Sequence, residues 1–108
     1  MIHLSYKLTA YIPTQKWDDV AFLLPNEHTC WDGTGSWDGQ CEDVTIVTVL
    51  SADRQALYTL GERLSRALIY AGEQAALVEY SRADAWLMTK EEVAPGEIDG
   101  GVENRATA

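Results

Sequence analysis

The run Val44-Thr45-Ile46-Val47-Thr48-Val49-Leu50, followed at once by a long amphipathic stripe, constrains the fold of this chain more than any other feature. The run is β-branched or apolar throughout, which suits a central strand covered on at least one face. Ser51 or Asp53 is placed to cap a helix. Leu57, Leu60, Leu64, Leu68 and Ala71 then recur at steps of three and four, the spacing of one helical face. Arg54, Glu62, Arg63 and Arg66 fall on other faces, with Glu62 one turn before Arg66. Gly61 inside the helix costs about 1 kcal/mol against alanine, so its place suggests a close approach to the sheet. Gly72 suits the C-terminal cap. A strand feeding such a helix calls for a sheet with that helix laid across it.

The flanking segments supply more of the sheet. Residues 2–12 alternate, with Ile2, Leu4, Tyr6, Leu8 and Ala10 on one side and His3, Ser5, Lys7, Thr9 and Tyr11 on the other. Pro13 closes this strand. Thr14 opens a short helix to about Leu24, with Trp17, Val20, Ala21 and Leu24 on one face, and Pro25-Asn26 breaks it. After Gly72, Gln74–Tyr80 reads as a strand, Ser81–Asp84 as a turn, and Ala85–Met88 as a last strand. The order points to an α+β fold, a ferredoxin-like sandwich with a mainly antiparallel sheet backed by one long helix (about 53–71) and a shorter one (about 14–24). Residues 1–89 form a single domain. Residues 90–108, with Pro95, Gly96, Gly100, Gly101 and five acids, read as an acidic disordered tail.

The net charge of −9 is unevenly placed. Residues 1–25 and 44–90 are each neutral, whereas Glu27, Asp32, Asp38, Glu42 and Asp43 stand in 26–43 without a single base. The tail holds the remaining excess. Such a surface disfavours direct nucleic-acid binding and would attract a basic protein. No apolar run is long enough to cross a membrane as a helix, and the N-terminus has no leader pattern, so the expectation is a cytoplasmic protein.

The acidic stretch His28–Asp43 carries both cysteines, two of the four tryptophans and three of the eight glycines. Trp-Asp-Gly occurs twice in it, and Asp-Gly is a strong hairpin-turn dipeptide, so turns are expected at both 32–33 and 38–39. A hairpin over 31–40 would set Cys30 opposite Cys41, leaving free thiols, a bridge or a metal as alternatives. A zinc site would draw on His28, Cys30 and Cys41 with Asp32 or Glu42, although the spacing matches no usual paired-ligand pattern. A calcium loop on Asp32, Thr34, Ser36 and Asp38 fails, because Trp37 stands where that loop needs glycine. Cys30 or Cys41 with His3 or His28 has no spacing that marks a nucleophile and its base, and acidic surroundings do not favour a thiolate. Trp31 and Trp37 either pack on the sheet or form an exposed aromatic pair beside Asp32 and Asp38, a combination suited to protein binding. Tyr58 and Tyr70 are similarly open, with packing on the long helix the simpler role.

Thr29-Cys30-Trp31-Asp32-Gly33-Thr34-Gly35-Ser36-Trp37 resembles the Thr-x5-Gly-x-Trp signature of a family of small bacterial proteins classed only as a domain of unknown function. The similarity spans residues 29–88 and rests on Thr29, Gly35, Trp37 and Gln74. It implies a ferredoxin-like fold and supplies no activity. The resulting expectation is a non-catalytic domain without cofactor that binds a protein partner or a second copy of itself, with Trp31, Asp32, Asp38 and Glu42 as the contact residues. The alternative is an acidic, phage-type inhibitor that competes for the basic groove of a nucleic-acid-processing enzyme. A third is a small metal protein or enzyme on His28, Cys30 and Cys41.

Overall fold

In the computed structural model, which describes residues 1–93, the run at 44–50 lies in an inner strand of a four-stranded sheet. The strands are β1 (Ile2–Pro13), β2 (Thr29–Trp37), β3 (Gln40–Ser51) and β4 (Leu77–Leu87), in the order β2-β3-β1-β4. Every neighbouring pair is antiparallel. A long helix, α2 (Arg54–Tyr70), packs on one face, and a much shorter one, α1 (Trp17–Val20), sits between β1 and β2. The fold is therefore α+β with an antiparallel sheet, as the sequence pattern requires.

The core lies between α2 and the inner strands. Leu8, Ala10 and Ile12 of β1 and Val47 and Val49 of β3 meet Leu57, Leu64 and Leu68 of α2, with Val20 closing one end. Antiparallel partners share a face, and the pairs Leu8–Val49, Ala10–Val47 and Ile12–Thr45 place these residues under the helix. Thr45 is the one polar residue among the buried side chains of the described residues, and its hydroxyl meets that of Thr14 at 3.1 Å.

Both ends of α2 follow their sequence signals. The Asp53 carboxylate accepts from the Ala56 amide at 3.2 Å, satisfying one of the first-turn donors. At the other end Gly72 takes a φ of +108°. The Glu73 amide donates to the Leu68 carbonyl and the Gly72 amide to Ile69, each at 3.0 Å, which is the Schellman pattern. Lys16 adds a bond from Nζ to the Ala71 carbonyl at 2.8 Å, placing a cation at the negative end of the helix.

Three expectations need correction. Residues 14–24 are not one helix: 3-10 turns at Thr14–Lys16 and Ala21–Leu23 flank the four residues of α1. A segment this short gains little from helical propagation, and it is held instead by Val20 in the core with Trp17, Leu23 and Leu24 packed against it. Ser81–Asp84 is not a turn. β4 runs through it, and Ala83 and Asp84 together stand against Ser5 between the pairs Leu4–Ala85 and Tyr6–Arg82, a bulge that absorbs the surplus residue. The hairpin β2–β3 has one turn only. Asp38 and Gly39 adopt φ of 50° and 76°, as the type I′ turn requires, while Gly33 lies within β2.

Of the proposed tail, Lys90–Glu92 form a 3-10 turn, and Glu92 pairs with the amino group of Met1. Residues 94–108 lie outside the described residues.

Candidate functional site

The pleat divides the side chains between a face under α2 and a face that no described element covers. Across the open face, pairing aligns Trp31, Ile46, Tyr11 and Leu77 in one row from β2 to β4. Beside it run Gly33, Val44 and Pro13 on one side and Thr29, Thr48, Thr9 and Glu79 on the other. Trp31 is 48 % exposed and Leu77 59 %. The Tyr11 hydroxyl donates to Glu79, and this bond, with some desolvation, raises the Tyr11 pKa above its ordinary value.

Two glycines shape this surface. A Cβ at Gly33 would stand 3.1 Å from the Ile46 Cδ1, and one at Gly35 3.3 Å from the Val44 Cγ1. Their absence lets Ile46 and Val44 lean over the β2 backbone between the two tryptophans. Gly33 thus serves cross-strand packing, although its Asp-Gly context reads as a turn.

Beyond the pair Pro13–Val44, β2 and β3 continue alone. The pairs from Thr34–Asp43 to Trp37–Gln40 form a two-stranded ribbon of four rungs, about 13 Å long at strand rise. Asp38 sits at its tip, Glu42 on its open face and Asp43 on the opposite face, and no base lies on it. Thr34, Cys41 and Asp43 look across a depression onto Thr14 and Gln15.

The four residues expected to make a contact surface are therefore split. Trp31 and Glu42 share the open face with Trp37, Asp32 points to the helix side opposite Thr45, and Asp38 forms the turn. Cys30 and Cys41 do not face each other. Cys30 pairs with Val47 and Cys41 with Ser36, which sets the cysteines about 20 Å apart along the ladder, well beyond disulfide reach. The slip follows from the turn, which lies at 38–39 and not at the midpoint of 30 and 41. His28 precedes β2, its Nδ1 2.8 Å from the Pro25 carbonyl. Among the described residues no three His, Cys, Asp or Glu side chains converge as a metal site, and no helix is long and apolar enough to cross a membrane.

Tyr11, Ile46 and Leu77 belong to the open-face row but carry no motif. The signal that finds them is the 44–50 run itself: Val44 and Ile46 are apolar on the face opposite Val47 and Val49, as in a strand covered on both sides. The helix covers one side only. No protein-family model matches the chain, and no curated protein or solved structure matches it either.

Proposed function

We propose that this chain is a non-catalytic binding module that associates with a second copy of itself through the open face of its sheet. The observation that carries this reading is the uncovered row Trp31–Ile46–Tyr11–Leu77 on a strand that is apolar on both faces. Contiguous exposed apolar surface of this kind marks an interaction site. A second copy can be seated on this face because the row itself carries no charge. Copies of net charge −9 repel, and they can meet only where charge is sparse. The row has none, and Glu79 beside it is engaged by Tyr11. Trp31 keeps its contact role on this reading, whereas Glu42, on the ribbon, lies outside the uncharged row. The strand order β2-β3-β1-β4 around two connecting helical segments supports a ferredoxin-like assignment of the fold.

Light scattering across a concentration series tests the proposal. A dimer is expected, and Trp31→Ser with Leu77→Ser should return it to monomer while leaving thermal unfolding of the monomer nearly unchanged, since both side chains are about half exposed or more. A wild-type protein that stays monomeric up to its solubility limit overturns self-association.

A second reading rests on the ribbon, whose Asp38, Glu42 and Asp43 stand clear of the sheet with no neutralising base. An acidic projection of this form could enter a basic groove and act as the inhibitor of a nucleic-acid-processing enzyme. Inhibition should then weaken as salt rises, and the combined change Asp32→Asn, Asp38→Asn, Glu42→Gln and Asp43→Asn should abolish it.

A further inference from the structure

On the helix side, at the end of the sheet away from the ribbon, the first turns of α2 and the β1–β4 pair border a half-open cleft of about 240 Å³. Tyr6, Tyr58, Tyr80, Arg54 and Arg82 line it, with Leu57 at its side. Lys7 and Ser81 also border it, but they are partners one step out of phase with Tyr6 and Tyr80, so the pleat sends their side chains to the open face. No carboxylate lines the cleft. We propose that it is a binding site for a small aromatic anion, a ring bearing a carboxylate or a phosphate.

Three observations carry this. The first is charge. Among the described residues neither Arg54 nor Arg82 makes an ion pair, although acids outnumber bases about two to one in the chain. Arg54 is nevertheless oriented: its Nε donates to the Tyr58 hydroxyl at 3.0 Å and its guanidinium lies 5.2 Å from the Tyr58 ring centroid. That contact uses one donor and leaves the terminal nitrogens to meet an anion. A guanidinium fork matches carboxylate and phosphate oxygens.

The second is the aromatic wall. Tyr58 and Tyr80 meet edge to face with centroids 4.6 Å apart, an arrangement that offers ring edges and faces to a further ring. Desolvation, with smaller contributions from Tyr58 and Glu62, raises the Tyr80 pKa above its ordinary value. The Tyr80 hydroxyl donates to the Tyr58 carbonyl at 3.4 Å, so the wall offers a ligand the Tyr80 ring, without a phenolate charge that would repel an anion. An enclosed cavity of about 150 Å³ accepts benzene, so this half-open cleft of about 240 Å³ is large enough for a ring whose charged group reaches its mouth.

The third is Gly61. A Cβ there would lie 1.9 Å from the Tyr80 hydroxyl oxygen and 2.8 Å from its Cζ. The chain keeps glycine in a helix interior, against propensity, and the space it leaves is filled by Tyr80. The wall of the cleft is built into the packing of α2 on the sheet.

The test uses the full chain and amide NMR shifts, with phenyl phosphate and benzoate as the two arms and inorganic phosphate and neutral benzamide as controls. Saturable shifts are expected at Tyr6, Arg54, Tyr58, Tyr80 and Arg82 with at least one aromatic anion, and the stronger arm identifies the anionic group. Both controls should bind about tenfold more weakly or less. Arg54→Gln and Arg82→Gln should each lower affinity about tenfold, the loss of one charge-assisted contact. Both residues are exposed, so unchanged thermal unfolding will separate lost binding from lost fold. Tyr58→Phe, which keeps the ring and frees Arg54, should cost less than Arg54→Gln. No saturable shift with either aromatic anion overturns the proposal, as does binding that inorganic phosphate reproduces in full or that both arginine changes leave intact.

Discussion

Gly61→Ala isolates the close approach of α2 to β4, and its sign is opposite to what helix propensity alone dictates. In an unobstructed helix interior, the change gains about 1 kcal/mol. Here the new Cβ meets the Tyr80 hydroxyl oxygen at 1.9 Å and its Cζ at 2.8 Å, with the Val78 Cγ1 at 3.1 Å. Non-bonded heavy atoms rest at about 3.5–4.0 Å, so the tip of the Tyr80 ring must swing away by about 1.5 Å or more. That movement breaks the edge-to-face contact with Tyr58, worth about 0.5–1.5 kcal/mol. It also uncovers part of a ring that is now 41 % exposed, at about 1 kcal/mol for roughly half an aromatic side chain. Loss exceeds gain, and the net destabilisation is about 0.5–1.5 kcal/mol, a few degrees in Tm for a domain of this size. Urea unfolding followed by circular dichroism measures it, and an unchanged m-value identifies it as a stability effect. In a Tyr80→Ala background only Val78 remains in the way, and the same change should stabilise by about 0.5–1 kcal/mol. The double-mutant cycle should therefore give a coupling of about 1–2.5 kcal/mol. A Gly61→Ala protein stabilised by about 1 kcal/mol in both backgrounds would refute the packing argument.

Other consequences follow from the sheet. Gly39→Ala should destabilise by about 1–2 kcal/mol because φ there is +76°, whereas Asp38→Asn should be neutral or better, since asparagine suits the same turn position; equal losses in urea titrations would contradict the turn assignment. The raised Tyr11 pKa means that the bond to Glu79 contributes fully below the tyrosine's ordinary value and is lost as pH climbs through the raised one. Urea midpoints should therefore fall on the alkaline side of about pH 10, and Tyr11→Phe should show a shallower fall than wild type. Mild oxidation should leave Cys30 and Cys41 without an internal bridge, so that thiol labelling of the monomer counts two free groups; a protected pair would contradict the hairpin register.

The sequence disclosed those parts of the fold that one local rule decides. The stripe Leu57–Leu64–Leu68, the Asp53 cap and the Gly72 terminus each depend on neighbours within a turn, and each lies where the pattern puts it. The misreadings all required long-range partners. Gly33 has turn chemistry but lies beneath Ile46, and Ser81–Asp84 has turn composition but pairs with β1 through a bulge. Residues 14–24 have helical spacing, yet their geometry is set by where Val20 enters the core. The candidate surface behaved the same way. Spacing groups Trp31, Asp32, Asp38 and Glu42, and the pleat sends Asp32 to the other face while Tyr11 and Leu77, distant in sequence, join Trp31. Arg54, Tyr58, Tyr80 and Arg82 come together only because α2 crosses β4 at Gly61.

On the proposed self-association, the acidic ribbon decides which way two copies can face. In the aligned class of sheet packing, strands lie within about 30° of one another, so a two-fold axis in the interface runs either along the strands or across them. An axis along the strands brings both ribbons to one end, with Asp38, Glu42 and Asp43 of one copy near the same residues of the other. At about 10 Å in water each pair of charges costs about 0.4 kcal/mol, so the nine pairs cost a few kcal/mol before screening. A Debye length of about 8 Å at physiological salt reduces this to about 1 kcal/mol. An axis across the strands sends the ribbons to opposite ends and removes the term. The dimer is therefore expected to have opposed ribbons, and its Kd should change less than about twofold when Asp38→Asn, Glu42→Gln and Asp43→Asn are combined at low salt. Tightening by tenfold or more, which is about 1.4 kcal/mol, would place the ribbons side by side and refute the opposed arrangement.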